Sequence, residues 1–479
     1  MRRLLLLGLV ASIVLGSGVP ARADDTKAVA ALNHEIRVLT EKVADLEREQ
    51  AAIEDQQVRR EEILKVVREM GADAGSSTDF RLFWKRGIRM ATGDERFTVA
   101  VGGRLYVDWG WIGASGLVED GTVTGIADQE DGVEARMIRA YASGVMHRYI
   151  RWKLEGTVEG GVVSLADAWM ELTELPYVGN VRVGHFKEPF SLGVVTDSRW
   201  ITFMERALPT VFAPARNFGL MAHNACLGEK GAERMSWAVG VFRSEDPWAT
   251  DGNPVRSDGG YGMTARVTGL PWYADEGRQL VHVGIAHAFK QPTDNHQARF
   301  RTFPEAHFLD DYFLSTDYLS DIDNIHLFGA ELAGVYGPFH AQMEYIAAAV
   351  DRGNTPAASY QDNPCFGGFY VQAGYFITGE SRPYDHATGS WARLIPKKNF
   401  REDGGWGALE VATRYSYLDL DDERVANASR GKLNNWTLGV NWYLNPNARI
   451  MANYIRSCLD RLDTSGAVDI FMMRFQFDF

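Results

Sequence analysis

Ala467-Val468-Asp469-Ile470-Phe471-Met472-Met473-Arg474-Phe475-Gln476-Phe477-Asp478-Phe479 closes the chain, and the rest of the sequence is read from it. From Phe471 the odd positions are Phe, Met, Phe, Phe and Phe, while the even ones between them are Met472, Arg474, Gln476 and Asp478. A β-strand sends alternate side chains to opposite faces, so this one is oily on one side and mostly polar on the other. A strand crossing a bilayer as part of a barrel has that form, apolar toward lipid and polar toward a wet interior. A strand of a soluble sheet can alternate the same way, so the remainder of the chain has to decide.

Working back from the C-terminus, the pattern recurs. Trp436, Leu438, Val440, Trp442 and Leu444 alternate with Asn435, Thr437, Asn441 and Tyr443. Leu409, Val411, Thr413, Tyr415 and Tyr417 alternate with Glu410, Arg414 and Ser416, and Phe97 to Trp109 repeats the theme. The strands fall at 96–112, 134–147, 149–159, 163–175, 178–187, 218–228, 234–243 and 259–270, then at 279–290, 324–335, 338–351, 364–378, 405–419, 432–445, 447–459 and 467–479. That makes sixteen, an even number, as a single-chain bacterial barrel requires. The connections alternate between short turns such as Gly337-Pro338 and Asn445-Pro446-Asn447 and long loops such as 188–217 and 291–323. Gly379 to Gly404 breaks the alternation: a long segment where a short turn belongs, expected to fold back into the lumen. The fold class is therefore all-β, a 16-stranded antiparallel transmembrane barrel over residues 96–479, preceded by an α-helical coiled coil.

Composition agrees. Among 479 residues, Gly is abundant at 48 and Pro scarce at 16, which suits many strands joined by tight turns. The net charge of −13 argues against nucleic acid as a partner. Past the N-terminus no apolar run is long enough for a membrane-spanning helix, a test that barrels escape because only half of each strand faces lipid.

The N-terminus is an address followed by a coil. Met1-Arg2-Arg3, the apolar run Leu4–Leu15 and Ala21-Arg22-Ala23 form a secretory signal peptide, 1–23. In 24–70, Val29, Ile36, Val43, Gln50, Gln57 and Leu64 occupy heptad position a, with Leu32, Leu39, Leu46, Ile53, Arg60 and Val67 at d. That is a coiled coil, expected in the periplasm, where it could meet a cell-wall partner. Residues 71–95 are expected to be a linker. A structural tether, with the barrel as anchor and the coil as spacer, is the alternative to a channel.

Sixteen strands enclose an aqueous channel, so the inward faces matter. Alternation places Arg104, Arg151, Lys153, Arg182, Arg266, Arg414, Arg449 and Arg474 inward, against Asp108, Glu155, Glu344, Glu410 and Asp478. Basic groups lead eight to five in an acidic chain. Fixed positive charge on a channel wall concentrates anions, and guanidinium suits phosphate or carboxylate. The competing reading is that these cations pair with the acids across strands and stiffen the wall. Loop 188–217 adds Lys187, Arg199, Arg206 and Arg216 beside Glu188, Asp197 and Glu205, either narrowing the pore or packing on the rim. No nucleophile motif, phosphate loop or metal-ligand spacing is present, so no enzyme, cofactor or metal is expected. The three cysteines, Cys226, Cys365 and Cys458, are expected to be buried and structural.

Gly184–Pro209 (GHFKEPFSLG…TDSRWITFMERALP), Phe369–Leu420, Thr437–Ser457 and the terminal FMMRFQFDF resemble the phosphate-selective porin family, porins O and P. The resemblance implies a trimeric sixteen-stranded anion channel in outer-membrane lipid, with an inward third loop and a long periplasmic turn entering the pore. It also implies an arginine pair in the second strand, where this chain has Ile138-Arg139, and two inward-loop lysines, where it has Val194 and Arg199. One of each pair is kept, which adds Arg139 and Arg199 to the anion-binding candidates. Phosphate-like selection and a broader small-anion specificity both remain open.

Overall fold

The computed structural model describes residues 79–479 apart from 86, 116–129, 160–161, 244–257, 310, 354–362, 403, 426–429 and 463–464. The expected signal peptide and coiled coil lie outside the described residues, as does the first part of the expected linker.

The barrel strands are β1 (Thr98–Ser115), β2 (Gly132–Met146), β3 (Ile150–Glu159), β4 (Val162–Leu175), β5 (Gly179–Lys187), β6 (Arg216–Cys226), β7 (Met235–Arg243) and β8 (Tyr261–Ala274). They continue as β9 (Gln279–Lys290), β10 (Ile322–Tyr336), β11 (Phe339–Arg352), β12 (Cys365–Phe376), β13 (Ala408–Asp419), β14 (Gly431–Asn445), β15 (Ala448–Arg461) and β16 (Ser465–Asp478). Each pairs antiparallel with the next, and β16 returns to β1 through Arg474↔Asp108 and Phe475↔Val107. This is the closed sixteen-stranded cylinder that the alternation implied, without free edges along the wall.

The faces follow from side-chain period. Along β13, Glu410, Ala412, Arg414, Ser416 and Leu418 are buried inward, while Val411 is exposed on the outside. Leu105, Trp109, Val183, Ile285, Trp436, Leu438 and Phe475 are likewise exposed outward. So broad an apolar belt needs a hydrocarbon solvent. Closure requires Gly102: a Cβ there would strike the carbonyl oxygen of Phe479 and the ring of Tyr141. The last residue then bonds Gly103 in both directions, at 3.0 and 3.2 Å.

Three expectations need correction. The stretch read as a linker carries a hairpin, Phe80–Trp84 with Ile88–Thr92, whose second strand pairs with Thr98–Val101 of β1. It occupies the edge of β1 that β16, already ended, leaves open. Nor are the cysteines buried: Cys365 is exposed and the other two are half-buried, with no disulfide among them. Cys365 and Cys458 alternate with the inward Phe366 and Leu459, so they point outward.

The third correction concerns the interior, which is not water throughout. Loop 188–215 and loop 291–321 both turn inward, and their Phe190, Met204, Leu208, Phe212, Phe300, Phe313 and Leu314 form an apolar core. That core packs on Ile346, Phe366, Leu418, Met451 and Ile455 of the wall. A barrel of this size leaves room for a packed plug and a passage together.

Candidate functional site

Two inserted segments shape the passage. Loop 188–215 enters after β5; Ser191 caps the short helix α1 (Leu192–Val195), and Glu344 of β11 accepts from Ser191 Oγ at 2.6 Å and from the Gly193 amide at 2.8 Å. From the end with the short turns, segment 377–407 folds back inside, as expected for Gly379–Gly404. Its Trp391 donates through Nε1 to Gln342 at 2.6 Å and through its amide to Thr196 Oγ1 at 3.3 Å, so the two insertions meet. Arg266 of β8 fastens the same segment by donating to the Thr388 and Gly389 carbonyls at 2.9 and 2.8 Å.

The ten candidate residues divide by partner. Arg104 bonds Asp197 at 2.9 Å and Glu155 at 3.2 Å, and Arg139 reaches Glu155 at 3.3 Å. Lys153 sits between Glu155 and Asp167 at 2.7 and 2.5 Å. Arg151 and Arg182 share Glu171, at 3.4 and 2.6 Å. Arg199 is held by Asp197 at 3.0 Å. Arg266 is bidentate to Glu331 at 2.8 and 2.7 Å, and Arg474 to Asp108 at 2.7 and 2.6 Å. Arg414 meets Glu305, contributed by loop 291–321, at 2.5 Å. Arg449 differs: it donates to the Ile201 carbonyl, Tyr443 Oη and Gln476 Oε1, and among the described residues to no carboxylate. The cross-strand pairing that competed with anion binding is thus extensive.

Other cations escape it. Lys187 donates to the carbonyls of Val194 and Thr196 at 2.6 and 3.2 Å. Arg206 binds the Gly193 and Thr196 carbonyls, and Arg382 binds Trp200 O, Thr202 Oγ1 and His340. Among the described residues none of these three, nor Arg449, has a carboxylate oxygen within 4 Å. Arg382 was missed from sequence because it lies within segment 377–407, where no strand period assigns a face. On the inward loop, burial would by itself raise the Asp197 carboxyl, yet Arg104 and Arg199 hold it well below the usual carboxylate range.

A cavity of about 420 Å³ opens between β3–β8 and the two insertions. Lys153, Arg182, Lys187, Arg216 and Arg266 face it, against Asp167, Asp197 and Asp385, with Trp169, Phe186 and Trp200 among its apolar walls. A smaller cavity of about 220 Å³ lies between the two inward loops and is lined by Arg206, Arg301 and His307 beside Glu205 and Glu305.

A closed barrel, an apolar belt and a charged interior with inserted loops describe a pore. The family model for phosphate-selective porin O and P matches residues 123–479. The chain belongs to that family. It is similar to Porin O of Pseudomonas aeruginosa, 24% identical over 85% of this chain and 94% of the relative. An uncharacterized protein of Caulobacter vibrioides is 29% identical over 82% of this chain and 74% of its own length. In fold it resembles the outer membrane channel DcaP of Acinetobacter baumannii, with a TM-score of 0.50, 12% identity and coverage of 81% and 99% of the two chains. OmpF of Salmonella typhi matches at a TM-score of 0.50 and 13% identity, over 83% and 100%. This member of the porin O and P family is an outer-membrane porin, a channel rather than an enzyme.

Proposed function

We propose that this porin is an anion-preferring channel for passive diffusion of phosphate-like and other small anions. The observation that carries this reading is Lys187 in the lining of the larger cavity: of the five cations there, the other four are ion-paired, whereas Lys187 has no carboxylate oxygen within 4 Å among the described residues. In a passage walled by low-dielectric protein, such an unpaired cation lowers the energy of anions and raises that of cations. The ion-paired arginines of the ten candidates hold the wall and the insertions in place. The preference comes foremost from Lys187 in this cavity, with Arg449, Arg206 and Arg382, which lie elsewhere in the interior and likewise lack a carboxylate within 4 Å among the described residues, adding to it. The family to which the chain belongs supports phosphate among the transported anions, and a trimer as the assembly. The deciding experiment is the reversal potential of the purified porin in planar bilayers under a salt gradient. A potential on the anion side supports the reading; a zero or cation-side potential overturns it. Chemical crosslinking in detergent tests the trimer.

A further inference from the structure

The cavity beside loop 188–215 is built for more than a small inorganic ion, and this deepens the reading just given, on which it rests. Its volume, about 420 Å³, is within the roughly 300–1,000 Å³ range of pockets that take ring-bearing ligands, and a bare phosphate would leave most of it to water. Its charge is localised. The Lys187 ammonium has three donors and spends two on backbone carbonyls, so one remains. Directly across on β6 stands Arg216, the register partner of Lys187, whose only carboxylate within 4 Å among the described residues, Asp167 at 2.8 Å, is shared with Lys153. Lys187 and Arg216, side by side with only Arg216 touching a carboxylate, repel each other, and a bound anion relieves that repulsion.

Aromatic surface adjoins these cations. The Arg182 guanidinium lies 4.1 Å from the Trp169 ring centroid and 5.5 Å from that of Phe186, and all three side chains line the cavity. Trp200 lines the same space.

We propose that this cavity is a binding subsite for aromatic carboxylates. The carboxylate sits on Lys187 and Arg216, and the ring packs against Trp169 and Trp200. The two oxygens match two donors on neighbouring strands, and the ring fills volume that an inorganic anion cannot.

The test is block of single-channel chloride current through the full-length porin by benzoate, acetate, cyclohexanecarboxylate and phosphate. Benzoate and acetate share a charge and differ by the ring. Benzoate should half-block at about a tenfold lower concentration than acetate, the size of effect that burying one ring against aromatic walls gives. Trp169→Ala or Trp200→Ala should remove most of that ratio, whereas Trp436→Ala, on the outer face, should keep it. Equal block by benzoate and acetate overturns the proposal, as does a ratio that survives both cavity variants. Phosphate blocking better than benzoate overturns it in favour of an inorganic-anion site, and cyclohexanecarboxylate equal to benzoate overturns its aromatic part. Should neither cavity variant assemble, judged by heat-modifiable gel migration, the wild-type ratio decides alone. The reversal potential of the same channels separates this failure from failure of the anion-preferring reading.

Discussion

Replacing Lys187 with Met keeps most of the side-chain length and removes one uncompensated charge from the cavity wall. An ion passing about 7 Å from that charge through water feels roughly 0.6 kcal/mol, since two unit charges interact by about 332/(80 × 7). That is about one RT, so the charge raises anion occupancy about 2.7-fold and lowers cation occupancy by the same factor. The anion-to-cation permeability ratio should therefore fall about sevenfold at low ionic strength. At 0.1 M salt, with a Debye length of about 10 Å, the interaction is roughly halved and the fall is about 2.7-fold. The assay is the reversal potential across planar bilayers under a KCl gradient, measured at both salt levels. Lys187→Arg should retain the wild-type potential, which separates loss of charge from loss of the bonds to Val194 and Thr196. A potential unchanged in Lys187→Met at low salt would refute the reasoning, because another group would then be setting the selectivity.

Other consequences follow from the same geometry. Arg266→Met strands the buried Glu331 carboxylate and should cost about 3–5 kcal/mol, whereas the double variant Arg266→Met with Glu331→Leu should recover most of it; urea midpoints of the refolded porin would show this. Arg382→Met unties segment 377–407 from Trp200 and Thr202 of the inward loop, so limited proteolysis should cut that segment faster than in the parent, and an equal rate would count against the tie. Leu438→Arg places a charge on the lipid face and should cost about 2–4 kcal/mol if the position lies near the bilayer midplane, read as a shift in the same midpoint. Gly102→Val drives a side chain into the closing contact at Phe479, and heat-modifiable migration, the mark of a closed barrel, should be lost.

How much of this was legible in the sequence depends on which force acts at each place. Strand identity was readable because a two-faced wall imposes period 2, and Arg414 or Arg474 could be assigned inward from its neighbours alone. What each faces was not readable. Arg414 meets Glu305, 109 positions away, because a loop turns into the barrel, and nothing in the period of β13 encodes that. The apolar plug escaped for the same reason: Phe300 and Phe313 belong to a loop without a strand period, and only the fold shows loop 291–321 to lie inside. Segment 377–407 announced itself by its length, yet Arg382, one of its anchors, has no strand phase to give it away. The hairpin from Phe80 to Thr92 is too short to show a period of its own, and it exists because β1 extends past the end of β16.

The account depends above all on lipid and water meeting alternate residues of one wall. After replacement of Cys226, Cys365 and Cys458, single cysteines at Ser236, Ala238, Val239 and Val241 of β7 can be challenged in proteoliposomes with a water-soluble thiol reagent. Ser236 and Ala238 line the cavity, and Val241 is exposed on the outer face with Val239 in phase with it, so the first two should label and the last two should not. Labelling of all four, or of the valines in preference, would contradict the barrel reading and the channel built on it.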